Sequence, residues 1–115
     1  MPPTLGDRLE HILKAIGAIE QLLDSTTVEA IEGDLIQRMG FERALEIICE
    51  ASRHVPPTVK AQEKAIDWQR MIDLGNLLRH GYHIIRIEIL FDIARNDLPP
   101  LKAFVARVLA EERKQ

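Results

Sequence analysis

Asn76, Arg79, His80, Tyr82 and His83 fall within one short stretch, the densest grouping of chemically capable side chains in the chain. On a helix, Asn76 and His80 stand four apart and share one face, one turn from each other. An imidazole that titrates near neutral pH suits general acid–base work, and an arginine stands beside it. The same residues have a packing reading. A cationic residue is favoured at a helix C-terminus, and Tyr82 can lie half-buried next to it. Local spacing by itself favours that second reading, because short motifs are weak evidence.

Other groupings carry less. His11 and His54 read as solvated surface histidines. His80 and His83 are three apart but straddle Gly81, and no nearby carboxylate supplies a third ligand, so neither a metal nor a cofactor is expected. Cys49 falls on the apolar side of a helix and reads as a buried, inert thiol. Trp68 reads as the anchor of its helix on the rest of the bundle. The sequence has no phosphate-binding glycine loop, no serine elbow and no paired-carboxylate spacing.

The elements that position these residues read as helices. Hydrophobic residues are 46% of 115 but aromatics only 4%, so the core must be built from Leu, Ile, Val and Ala, which favours helices over a β-sandwich. The formal net charge of −3 excludes a wholly basic surface, so any nucleic-acid contact uses a local patch. A single cysteine excludes an internal disulfide and a cysteine-cluster zinc site. No leader peptide and no membrane-length apolar run is evident, and one cytoplasmic domain over residues 1–115 is expected.

Thr4 and Asp7 form a capping-box pattern at the head of a helix over residues 4–24. A short helical turn follows over 28–33. Asp34 caps a helix to about residue 53, with Leu35, Met39, Ala44, Leu45, Ile47, Ile48 and Ala51 on its buried side and a bend allowed at Gly40. The sequence Val55-Pro56-Pro57 ends it. A third main helix is expected from about Ala65 through Arg79, closed by Gly81 in the left-handed conformation. A fourth spans residues 84–95 and is apolar nearly all round, which suits a central or subunit-interface helix. A last helix starts at the Asp97-Leu98-Pro99-Pro100 turn. The architecture is an all-α bundle of four main helices plus a shorter fifth element.

Several of these segments, in this order, resemble the HepT-like branch of the HEPN domains. Residues 7–13 resemble the opening helix of that family. Residues 44–51 resemble its second-helix signature, with Cys49 where a glycine is usual. Asp67-Trp68 through Asn76-Leu77-Leu78-Arg79-His80-Gly81-Tyr82 follows its tryptophan-to-histidine segment, and residues 97–101 match the start of its last helix. The resemblance covers almost the whole chain.

That resemblance implies a homodimer, the toxin partner of a minimal nucleotidyltransferase antitoxin, acting as a metal-independent endoribonuclease on RNA. It implies that His80 handles the proton of the attacking 2′-hydroxyl or of the leaving oxygen. Asn76 is the polar residue after the motif arginine, and Tyr82 is the acceptor of adenylate groups from the partner. The motif arginine itself is missing: its position is Gly75. Either ribonuclease activity is weak or lost, or Arg79, one turn on and leaning back toward the N-terminus, fills the gap. Reduced or absent activity ranks first, and a non-catalytic helical module that docks the nucleotidyltransferase is the alternative. Gly75→Arg is expected to gain helix stability and activity, provided that position 75 is not packed against another backbone.

Overall fold

The computed structural model describes residues 2–114, without the side chain of Tyr82. Among the described residues every regular element is helical. The order is α1 (Leu5–Ser25), α2 (Val28–Gly33), α3 (Leu35–Arg53), α4 (Pro57–Lys60), α5 (Trp68–His80), a 3₁₀ turn (Tyr82–Ile84), α6 (Ile87–Asn96) and α7 (Leu98–Arg113). The all-α expectation therefore holds. The expected four main helices plus a shorter fifth meet seven helices, of which α2 and α4 are short.

Local chemistry explains the helix starts. The Asp7 backbone N–H donates to Thr4 Oγ1 at 3.1 Å and the Thr4 backbone N–H donates to Asp7 Oδ2 at 2.9 Å, a reciprocal capping box. Asp34 Oδ1 accepts from the backbone N–H groups of Ile36 and Gln37 at the head of α3. α5 begins at Trp68 rather than Ala65, because Asp67 is its cap: Asp67 Oδ1 accepts from the Arg70 N–H at 2.9 Å. α3 runs unbroken through Gly40.

Two further expectations give way. Gly81 closes α5 at φ −127° and ψ 28°, outside the left-handed region, with its N–H donating to the Leu77 carbonyl at 2.7 Å. The apolar segment expected to be one helix over 84–95 divides into the 3₁₀ turn and α6, with Ile85 buried between them.

α3 packs against α1 on one side and α5 on the other, and α7 packs against α1 and α6. The core between them holds Leu9, Ile12, Ile16, Phe41, Leu45, Ile48, Leu90, Leu101 and Val105. Phe41 and Phe91 meet at 5.0 Å between ring centres, joining α3 to α6. Trp68 anchors α5 as expected, its ring edge-on to Phe104 of α7 at 5.8 Å. Arg70 ties the head of α5 to Asp92 and Asp97, each at 2.9 Å. Arg113 likewise pairs with Glu10, closing α7 on α1. Trp68 and Arg70 fix the head of α5, and its packing against α3 positions the rest.

Leu35 and Met39, expected in the core, are 71% and 58% exposed, and Ile36 is 82% exposed. Full burial on α3 begins at Phe41, and Leu35 and Met39 instead line an open cleft. Among the described residues no helix is long and apolar enough to cross a membrane.

Candidate active site

The last two turns of α5 carry Gly75, Asn76, Arg79 and His80. Gly75 is buried where α5 crosses α3. A β-carbon at position 75 would stand 3.0 Å from the β-carbon of Cys49. That neighbour is fixed to the α3 backbone and cannot rotate away, so a side chain at 75 needs α3 and α5 to give by a few tenths of an ångström. The condition for a benign Gly75→Arg change, an unpacked position, is not met. Cys49 is itself 2% exposed, and burial pushes its thiol up to about 12, which leaves it protonated and inert as expected.

Arg79 lies over this contact. Its Nη1 is 3.6 Å from the place of a β-carbon on Gly75, so the guanidinium covers the space the glycine leaves open. Two acceptors hold it: Nη2 donates to Asn76 Oδ1 at 2.7 Å, and Nη1 donates to Glu50 Oε2 at 3.2 Å. A guanidinium has five N–H donors, so three remain uncommitted by these two bonds.

Glu50 was not singled out by sequence. Its Oε1 accepts from Arg53 Nη2 at 2.9 Å and lies 3.1 Å from His54 Nε2, while Oε2 serves Arg79. The hydrogen bond from Arg53 is the chief reason that its carboxyl is held down at about 2, with His54 and Arg79 acting in the same direction. His54 is exposed as expected but engaged. Glu50, Arg53 and His54 are spaced i, i+3 and i+4, a readable helix-surface cluster. What no spacing revealed is that Arg79, 29 positions away, joins it.

His80 is the last residue of α5 and is exposed. Among the described residues its ring makes no hydrogen bond to Asn76 or Arg79. The structure thus brings Asn76 and Arg79 together and leaves the imidazole facing solvent at the helix end. Arg79 and His80 both sit in the last turn, where the helix dipole favours cations. Tyr82 begins the 3₁₀ turn, and its side chain lies outside the described residues.

His83 lines a cleft of about 740 Å³ with Leu35, Arg38, Met39 and Leu78, and His80 is not among the lining residues. Among the described residues no three His, Cys, Asp or Glu side chains gather as a metal site.

The family model for ribonuclease HepT-like proteins matches residues 12–108. A protein of Thermococcus cleftensis named "Probable ribonuclease HepT" is 33% identical over 96 residues, covering 84% of this chain and 87% of the relative. A protein of Caldanaerobacter subterraneus, named as a candidate RNase, is 25% identical over 105 residues, covering 91% and 94%. A third, from Methanocaldococcus jannaschii and also named as a candidate RNase, is 36% identical over 84 residues, covering 73% and 76%. No solved structure matches the chain.

Proposed function

The chain belongs to the HepT-like ribonuclease family, and from that premise we propose that it cleaves single-stranded RNA at the C-terminal end of α5. The 2′-hydroxyl oxygen attacks the adjacent phosphorus and the bond from phosphorus to the 5′-oxygen breaks. The products are a 2′,3′-cyclic phosphate and a 5′-hydroxyl. His80 takes the proton of the attacking hydroxyl or supplies the proton of the leaving oxygen, and its exposed ring is open to a polymer. Arg79 offers its uncommitted N–H donors to the phosphate, and Asn76 orients it. The observation that carries this reading is the guanidinium of Arg79 over Gly75. It puts a cation on the face that a residue at 75 would otherwise supply.

Arg79 reaches the phosphate from one turn further along the helix than an arginine at 75 would. Losing one preorganised charge-stabilising donor costs about 10²–10³ in rate, so activity is reduced to the extent that Arg79 does not replace it. A metal is not required in this scheme.

In this proposal residues 1–115 form a single cytoplasmic HEPN-type domain of four main helices with a shorter element. It is the toxin of a pair whose antitoxin is a minimal nucleotidyltransferase that adenylylates Tyr82. The chain pairs with a second copy through the apolar surface around Leu35, Ile36, Met39 and Ile84, the largest exposed hydrophobic side chains besides Ile89. A second reading, a non-catalytic module that docks the nucleotidyltransferase, draws its support from the buried Gly75. Expression without a partner separates them. Growth arrest that His80→Ala abolishes supports the ribonuclease, and unchanged growth in both strains supports the docking module.

A further inference from the structure

We propose that Glu50, on the neighbouring helix α3, is the positioning residue for Arg79, fixing where the guanidinium meets an RNA phosphate. The inference rests on the reading of the end of α5 as an RNA-cleaving site. The two oxygens of Glu50 have separate duties. Oε1 is occupied by Arg53 at 2.9 Å and His54 at 3.1 Å, and Oε2 takes Arg79 at 3.2 Å. Arg53 closes the helix of Glu50 and His54 is its C-cap, one turn on, so they lock the carboxylate to its own backbone. The carboxylate then reaches across to α5.

Arg79 is long and flexible, and intrahelical contact alone would give it one anchor, Asn76 at 2.7 Å on Nη2. Glu50 adds the second, on Nη1. Two anchors on different terminal nitrogens fix the plane of a guanidinium, where one allows it to swing about the bond. Fixing the plane over Gly75 aims the remaining N–H groups in one direction. The charge count keeps the site attractive to anions: Arg53 and Arg79 against one Glu50 leaves a net positive group before His54 is protonated. Glu50 itself touches no substrate in this scheme and acts through Arg79.

The test combines steady-state cleavage of a single-stranded RNA with ¹⁵N NMR of the arginine side chains, on the full chain. Glu50→Ala is expected to lower kcat by about a hundredfold, the order of loss from a misplaced group, with a small change in KM. Glu50→Gln keeps an acceptor oxygen for Arg79 and is expected to recover most of that loss. In an Arg79→Ala background, Glu50→Ala is expected to cost nothing more, because the two act on one guanidinium. Restricted rotation of the Arg79 Nη groups, present in the wild type, is expected to vanish in Glu50→Ala.

Full kcat in Glu50→Ala, an additive loss in the double variant, or a Gln variant as poor as the Ala variant overturns the proposal. If the wild type shows no His80-dependent cleavage, the reading of the site fails, and NMR then judges Glu50 alone. Arg79 rotation that is unrestricted in the wild type, or unchanged in Glu50→Ala and Glu50→Gln, overturns the inference there too.

Discussion

Gly75 of α5 packs against Cys49 of α3, with 3.0 Å between the β-carbon of Cys49 and the place that a β-carbon on Gly75 would take. The bulk lies on α3 and the glycine on α5, so Cys49 and Gly75 are the two sides of one contact. A change at either position is therefore read by the other.

Gly75→Arg should destabilise the fold. Helix propensity gains about 0.5–1 kcal/mol, but forcing a side chain into a filled crossing costs about 1–3 kcal/mol. Urea denaturation should show a lower midpoint. In a Cys49→Gly background the same change should cost less, with a coupling of more than about 0.5 kcal/mol. Equal costs in both backgrounds would mean that the contact does not limit position 75.

Glu50 should contribute to acid stability. Its carboxyl is held at about 2 in the fold, against an ordinary 4.5, chiefly by the Arg53 hydrogen bond. A depressed native value adds stability above the unfolded pKa, and that contribution is lost as pH falls from about 4.5 toward 2. Thermal melts should therefore show a shallower decline over this window in Glu50→Gln than in the wild type. Asp97 works in the opposite sense, since burial raises its carboxyl. Parallel curves for wild type and Glu50→Gln would show that Arg53, His54 and Arg79 do not stabilise the carboxylate.

The surface of Leu35, Ile36, Met39 and Ile84 should pair two copies. Light scattering at micromolar concentration should give a species of twice 13.1 kDa. Met39→Lys with Leu35→Glu should convert it to a monomer that keeps its helical circular dichroism, because both residues are exposed in the single chain. A dimer that survives both changes must use another face.

Much of this was legible in the sequence, and the misses have physical reasons. Thr4, Asp7 and Asp34 act locally, within four residues, so their caps could be read directly. Asp67 sends the same signal three residues before Arg70 and marks the start of α5. Leu35 and Met39 lie on a well-formed apolar stripe, but a stripe says only which face is apolar. Whether another helix extends far enough to cover it is a tertiary matter. Glu50 and Gly75 belong to the same class: their meaning lies in a helix crossing, Gly75 with Cys49 26 positions away and Glu50 with Arg79 29 positions away. The lean of helical side chains makes Arg79 a candidate for the space over Gly75, ranked behind reduced or absent activity, and its Nη1 lies 3.6 Å from the place of a β-carbon there.

Tyr82 should accept adenylate. Incubation with a minimal nucleotidyltransferase partner and ATP should add one or more adenylate masses to the wild type and none to Tyr82→Phe. An equal gain on the Phe variant would place the acceptor elsewhere.

The central claim is that this chain cleaves RNA through His80 with Arg79 in support. Its most direct test is incubation of a single-stranded RNA, with EDTA present, with wild type, His80→Ala and Arg79→Ala, followed by analysis of the new ends. The account predicts slow cleavage by the wild type that leaves 2′,3′-cyclic phosphate and 5′-hydroxyl ends. It predicts no cleavage by His80→Ala and a loss of about 10²–10³ in Arg79→Ala. Cleavage of equal rate in the wild type and His80→Ala, or none by a folded wild type, would contradict it.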